Sequence, residues 1–519
     1  MRTFIAILGL LLFGAMGNPA GATTRYISQS GGSFSGGAAC NGQSTISAAT
    51  FNGTNNSAGD TDYLCGTITM PLTPQGNGSS GSVVTIKFDT GANITVPACG
   101  ANGCIYLSGL SYYLIDGGTT CGYVNGADVG PCNGFIQATG NGTGSGSGTS
   151  TGIWARNGAS NIEVRNLGIY NMYVHTGSGD DTASNNYYCI WFQGANSSFH
   201  NLVEHDCYAG IVGEVASDHV QFYDNQVYNI NWGLFGSGSF NPQSITNWAV
   251  HDNDIHDWAN WDTTSDFNHH DGIFFAGNDG TATDINGIDI YNNYLHGHNT
   301  DCPSNCMTAF IYIMDAENVR IYNNLLVANS GDYVYNGFIF DEIISSTMPG
   351  MLIANNTVIG GSTASGNGSC IYANGVSKAT VENNVVSKCP VLMWADAGST
   401  FTTLNDNVYQ NSSLSGSWQL NSNFFNTLAS WKSVTGAEAG SQATTGSLGL
   451  SATNFVQQTG SVVIGAGANL TGLGLSGLNS DKAGTARPSS GAWDAGAFEL
   501  GSGTISAPAP PTNVRAIAR

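Results

Sequence analysis

The sequence predicts an all-β protein wound as a parallel β-helix, a solenoid of about ten coils with a small C-terminal capping region. Three observations predict it. The 519-residue chain holds 71 glycines but only 13 lysines and arginines. That composition suits short strands joined by Gly/Asn/Ser turns and not helices built on Ala, Leu, Glu and Lys. A pattern apolar-x-[Asn/Asp/His] then returns nine times, at Asn166, His205, Asp224, Asp252, Asn292, Asn323, Asn355, Asn383 and Asp406, with spacings of 19 to 40 residues. A second pattern, Gly or Cys followed by an apolar and an aromatic residue, precedes most copies. It reads CIYL at 104, GIWA at 152, CIWF at 189, GLFG at 233, GIFF at 272 and CIYA at 370, with looser versions FIYI at 310 and GFIF at 337. Each repeat thus holds two short strands, a turn at the Asn, and a third strand. One Asn per coil would hydrogen-bond up and down the stack and satisfy turn amides that burial would otherwise orphan.

The elements follow in order. Residues 1–22 read as a signal peptide: Arg2, an apolar stretch over 4–16, and Ala20-Gly21-Ala22 as a small-x-small cleavage signal. Thirteen apolar residues are too few to span a bilayer, so a secreted, extracellular or periplasmic protein is expected after cleavage near Ala22, without membrane insertion and as a monomer. Residues 23–83 form an N-terminal lead-in and cap, 84–410 the β-helix, and 411–500 the last coils and cap, with a short helix near 424–434. Residues 501–519 are a Gly/Pro-rich tail.

All twelve cysteines lie after the leader. An even count in an exported chain favours local disulfides, with Cys99/Cys104, Cys121/Cys132, Cys302/Cys306 and Cys370/Cys389 as the sequence neighbours. None has the paired CxxC spacing of a zinc site. The net charge of −22 disfavours nucleic acid, whose phosphates need a basic surface.

The start of the mature chain, TTRYISQSGGSFSGG followed by SAGDTDYLCGTIT, resembles that of secreted bacterial right-handed parallel β-helix proteins of the pectate-lyase-like superfamily. So do NTLASWKSVTGAEAGSQ and DKAGTARPSSGAWDAGAFEL near the end. The resemblance implies the handedness of the coil and a polysaccharide partner. It leaves the reaction open, since the superfamily includes lyases, hydrolases, epimerases and non-catalytic members.

Side chains alternate along a strand. If the Ile of GIW points inward, the outward column is Tyr106, Trp154, Trp191, Val212, Phe235, Phe274, Tyr312, Ile339 and Tyr372. Arg156, Gln193, Glu214, Met314, Asp341 and Asn374 are the next outward positions. Such an aromatic stripe suits a glycan platform, which makes Trp154, Trp191, Phe235, Phe274, Tyr312 and Tyr372, with Glu214, the candidate substrate-binding residues. The bland alternative is a satellite core roofed by the long loops 171–188, 257–271 and 297–309.

Ionisable groups are distributed unevenly. Between Arg165 and Arg320 there is no Lys or Arg, yet the interval holds all ten histidines and 19 of the 35 acids. His256 and His296 occupy the same place in neighbouring repeats, so they should stack. SDFNHHDGIFF, residues 265–275, joins this cluster to the aromatic column. Asp271, His270, His256, His296 and Asp257 are therefore the candidate catalytic residues. Asp262 and Asp266 are candidate ligands for calcium, which takes oxygen donors. A transition metal, or a merely solvated acidic loop, are the other readings. A lyase using an Arg or Lys base is disfavoured, because no cation lies in these coils; a His or Tyr base or a carboxyl pair for hydrolysis fits better. HHDGI loosely resembles an element of the polygalacturonase-type hydrolases, but the companion elements are missing. The expected function is an extracellular polysaccharide-degrading enzyme, hydrolase or lyase. A non-catalytic glycan-binding or cell-surface β-helix, or a purely structural solenoid, are the alternatives.

Overall fold

The computed structural model describes residues 21–500, apart from 101, 141–149, 174–187, 215, 239–244, 259–268, 278–284, 299–306, 333, 343–347, 362–367 and 397. Most of the expected leader, the tail 501–519, most of the three long loops, Asp262, Asp266, Cys302 and Cys306 lie outside the described residues.

The chain is a parallel β-helix, and its coils are built from three stacks of parallel strands. The first stack runs from Ile105–Tyr106 through Ile153–Arg165, Tyr188–His200, Ala209–Glu214, Trp232–Ser237, His270–Ala276, Met307–Met314, Gly337–Glu342, Ser369–Asn374 and Val391–Asp396 to Trp418–Leu420. The second includes Ser217–Tyr223, Ala249–His251, Asp289–Tyr291, Arg320–Tyr322, Leu352–Ala354 and Ala379–Glu382. The third is a 13-stranded sheet from Thr67–Ile68 to Gln442–Thr444. Parallel pairing begins ahead of residue 84, because Thr24–Ser28 pairs with Thr61–Leu64, and that strand with Val84–Phe88.

The coil holds together because identical positions stack. Ile153, Ile190, Ile211, Leu234, Ile273, Ile311, Ile339, Ile371 and Met393 stand in register along the first stack, and all are buried in the main core. Each such side chain contributes roughly 1.5–3 kcal/mol on burial. Ile339 therefore points inward, contrary to the expected outward column. The outward residue of its coil is Phe340, in register with Tyr312 and Tyr372. The reason is local: the residue before the Ile also faces the core at the coil's corner, and in this coil it is Phe338 instead of glycine. The same one-residue offset makes Asp341 inward and fully buried and puts Glu342 in the outward column.

The turn between the second and third stacks uses two residues where one was expected. Asn292, Asn323, Asn355 and Asn383 stack as expected but adopt left-handed φ of 52–60°, a conformation Asn tolerates. The continuous ladder lies one residue later. The Nδ2 groups of Asn225, Asn253, Asn293, Asn324, Asn356 and Asn384 each donate to the Oδ1 of the Asn in the next coil, at 2.9–3.0 Å. Each also donates to a backbone carbonyl, at 2.9–3.2 Å. His205 does not belong to this turn; Asn201 holds that place, since Phe199 pairs with both Val164 and Phe222.

Among the described residues five disulfides close local loops: Cys40–Cys65, Cys99–Cys104, Cys121–Cys132, Cys189–Cys207 and Cys370–Cys389. The expected short helix is Leu428–Thr435, N-capped by Thr427 and ended by left-handed Gly436. Its Trp431 is buried against the last coil. The rest of the expected cap is instead a strap along the side. Leu470, Leu478 and Trp493 pack on Tyr322, Leu352 and Ala354, while Leu448, Val463 and Ala495 pack on Ile359, Val385 and Val408. Asn323 donates to the Ser480 carbonyl at 2.8 Å and Asn383 to that of Ala468 at 2.8 Å. The strap thus takes up the side-chain donors of the turn residues Asn323, Asn355 and Asn383.

Candidate functional site: an imidazole on a buried carboxylate

The site begins where the first stack is entered at residue 269. Asp271 shares the outward position of Trp232 and Ala309, yet its carboxylate is fully buried. Its Oδ1 accepts from the Ala309 backbone N–H at 3.0 Å, and its Oδ2 lies 2.6 Å from Nδ1 of His269. The strand is pinned on both sides of the dyad: Trp232 Nε1 donates to the His269 carbonyl at 2.7 Å and Trp258 Nε1 to the Asp271 carbonyl at 3.1 Å. Desolvation raises the Asp271 pKa above the ordinary carboxylate value, opposed by His269 and the Ala309 N–H. The His269 imidazole itself is 39% exposed. Its ring centroid lies 5.2 Å from that of Phe274, 5.8 Å from Tyr312 and 6.1 Å from Trp232.

One coil further on, the Tyr312 phenol donates to Glu342. Desolvation and then the Glu342 carboxylate push the Tyr312 pKa upward, so this phenol holds its proton. Tyr372 repeats the device with Asp396 at 3.4 Å. On the other side of the dyad, Arg156 pairs with Glu214 and lies 3.8 Å from the ring centre of Trp191 and 5.6 Å from that of Trp154.

The aromatic column continues to Trp394, but most of its rings face each other. Phe235, Phe274, Tyr312, Phe340, Tyr372 and Trp394 stack at centroid separations of 4.1–5.0 Å and interplanar angles of 10–22°. Phe274, Tyr312, Phe340 and Tyr372 are buried, with Tyr173, Tyr188, Tyr208 and Trp232, in a cluster separate from the main core. Rings stacked this way present edges outward, because their faces are spent on each other. Val212 interrupts the series, leaving Trp154 and Trp191 as a separate, half-buried pair 5.8 Å apart.

The remaining expected residues stand elsewhere. His256 and His296 do stack, with ring centroids 4.9 Å apart, but on the third sheet. There they continue a ladder of Tyr170, His205 and Tyr228. His256 Nδ1 pairs with Asp257 at 2.8 Å and His296 Nε2 with Asp254 at 2.7 Å. Desolvation opposes the charged form of His256, but Asp254 and Asp257 outweigh it and raise its pKa; Asp257 falls to about 2. The pair thus occupies a different face from Asp271 and does not converge with it. His270 is fully buried, and the imidazole joined to Asp271 is that of its neighbour, His269. The sequence signal for His269 was present in the doubled histidine; strand alternation at an unmarked corner could not say which ring faced out. Among the described residues no group of three or more His, Cys, Asp or Glu side chains could hold a metal ion.

No protein-family model matches the sequence, and no curated protein is similar to it. Solved structures are. XylC in complex with xylose matches over 92% of this chain and 98% of its own, at 9% identity and a TM-score of 0.51. The PL6 family alginate lyase AlyGC matches over 79% of this chain at 12% identity and a TM-score of 0.42, and this chain spans 53% of that enzyme's length. Pectate lyase Pel9A matches over 92% of this chain and 96% of its own, at 13% identity and a TM-score of 0.38. At such identities the likeness is one of fold: the protein is a right-handed parallel β-helix.

Proposed function

We propose that this protein is an exported carbohydrate-active enzyme that cleaves a polysaccharide along the outer face of its first strand stack, with His269 as the proton-transferring group and Asp271 as the residue that holds it. The observation that carries this reading is an exposed imidazole hydrogen-bonded to a wholly buried carboxylate at the edge of an aromatic cluster. Such a pair fixes the tautomer: the buried carboxylate accepts from Nδ1–H, so Nε2 is the atom that would take or give the proton in the reaction. Burial of Asp271 strengthens the pairing, since a carboxylate out of water depends on its hydrogen bonds. Tyr312, kept protonated beside Glu342, can donate to a substrate oxygen or orient that carboxylate. Trp191 offers a second contact region three coils away, and Trp154 and Arg156 extend it to the fourth.

A glycan-binding protein without turnover is the second reading. The half-buried pair Trp154 and Trp191 favours it, since it offers aromatic surface away from the dyad. One experiment separates the two. The protein is incubated with a panel of polysaccharides, with and without EDTA, while reducing ends and absorbance at about 235 nm are followed; that wavelength reports the unsaturated product of elimination. New reducing ends are expected, and Asp271→Asn should abolish most of their release. Binding to a polymer with no release of ends from any member of the panel would leave the protein a binder.

A further inference from the structure

We infer that the polysaccharide taken by this face is uncharged; the inference rests on the catalytic reading above and concerns its substrate. It starts from the Lys and Arg residues nearest the dyad: between Lys87 and Lys378 the sequence holds Arg156, Arg165 and Arg320 alone. No Lys or Arg occurs between Arg165 and Arg320, so none can come from segments 174–187, 239–244, 259–268, 278–284 or 299–306. Segments 343–347 and 362–367 contain none either. Arg165 and Arg320 belong to the second stack, where Asp116 and Asp289 pair with them. Lys482 and Arg487 are held under the strap, by the Asn292 carbonyl and by Glu499. On the outer face of the first stack Arg156 is the one Lys or Arg from the sequence around the dyad, and Glu214 already pairs with it.

Beside that compensated cation runs a register column in which three of seven positions are acids and none is a base. Glu214, Ser237, Ala276, Met314, Glu342, Asn374 and Asp396 follow one another coil by coil. Glu342 and Asp396 accept from the phenols of Tyr312 and Tyr372, which orients them without neutralising them. A polyuronate laid along this column would bring one negative charge per sugar to within a Debye length of the Glu342 and Asp396 carboxylates, and the neighbouring cation, Arg156, is already paired with Glu214. A neutral glycan has hydroxyl groups that donate to those same carboxylates.

The substrate class also selects the reaction class. Elimination removes a C–H proton made acidic by an adjacent carboxyl carbon, and a neutral sugar has none. Hydrolysis remains. The oxygen of water bonds to the anomeric carbon, the bond from that carbon to the bridging oxygen breaks with its electron pair going to the oxygen, the leaving oxygen gains a proton and the attacking water loses one, with the His269 imidazole positioned for one of these transfers.

The test is electrophoretic retardation of the full-length chain in gels containing a single polymer. Mixed-linkage glucan, arabinoxylan and galactomannan are the neutral probes, and alginate and polygalacturonate the acidic ones, each with EDTA and again with Ca²⁺. Asp271→Asn is used to prevent degradation, with His269→Ala as the substitute if it does not fold. Retardation by at least one neutral polymer, and at least about tenfold weaker retardation by both polyuronates in both buffers, is expected. Stronger retardation by a polyuronate, whether in EDTA or only with Ca²⁺, overturns the inference, and so does retardation by none of the five. Failure of the catalytic reading has a different signature: the wild-type chain would be retarded by a neutral polymer and release no reducing ends from it.

Discussion

Two adjacent histidines have opposite environments, and that contrast is the sharpest test at the scale of the residue. His269 is partly exposed and joined to Asp271, whereas His270 is buried in the strand that follows. His269→Ala and Asp271→Asn should each lower turnover by about a hundredfold or more, the usual scale for a lost acid–base group, with little change in KM. His270→Ala should instead lower the melting temperature and leave turnover per folded molecule near normal. A buried carboxyl gives a second prediction. Neither Asp341 oxygen has a hydrogen-bond partner among the described residues, and burial raises its pKa from 3.8 to about 8. The sign follows from linkage: with the folded pKa above the unfolded one, the native state binds the extra proton. Its contribution is complete below about pH 4 and is lost as pH rises through about 8. Asp341→Asn should therefore flatten the fall of melting temperature between pH 5 and 9, by on the order of a few kcal/mol at the alkaline end. A slope equal to that of the wild type, in thermal unfolding across that range, would count against it.

At the scale of the element, the Asn ladder and the aromatic ladder are the same device made from different side chains. Each places one residue type at one position of successive coils, so that every coil completes the hydrogen bonds or ring contacts of the next. Asn324 shows the cost of a break. Its Oδ1 accepts from the Asn293 backbone N–H and side chain, while its Nδ2 donates to Ile290 and Asn356. Asn324→Ala would leave these partners buried and unpaired, at about 1–3 kcal/mol for each group that water cannot reach. Urea unfolding should show a loss of at least about 2 kcal/mol, against a much smaller loss for an exposed turn residue such as Asn421→Ala. The doubled Asn in each repeat was legible as a ladder, but its division of labour was not. Which of two neighbours takes the left-handed turn and which points inward depends on the coil closing behind it.

The strap gives the whole molecule its asymmetry: one side of the solenoid is covered by its own C-terminal segment. Arg487 is the pin. Its guanidinium is fully buried, bonded to Glu499 at 3.0 Å, to the Asp494 and Gly496 carbonyls and to Asn323 of the coil. Arg487→Met removes the charge and leaves Glu499 buried without its partner, a loss of about 3–5 kcal/mol. Limited proteolysis of this variant should cut within 445–500 first and leave the coil resistant for longer. Simultaneous digestion of strap and coil would mean that the two unfold as one unit.

What the sequence by itself determined is what repeats. The three-strand coil, the inward Ile column, the outward aromatic column, the local disulfides and the final short helix are all encoded by periodicity and neighbouring residues, and alternation turns these directly into faces. Tertiary structure decided whatever hung on a one-residue offset or on contacts distant in sequence. It chose Phe340 over Ile339 and Glu342 over Asp341, because Phe338 holds the corner place that glycine marks in other repeats, so the sequence pattern anchored on Gly337 is read one residue early. It separated His256 and His296 from Asp271, because residues close in sequence across a corner belong to different sheets. It joined Asp271 to His269, turned the aromatic faces onto one another, and laid the C-terminal segment along the side of the coil. For the aromatic faces and the strap the deciding partner lay in the next coil or far along the chain, where no local pattern could name it.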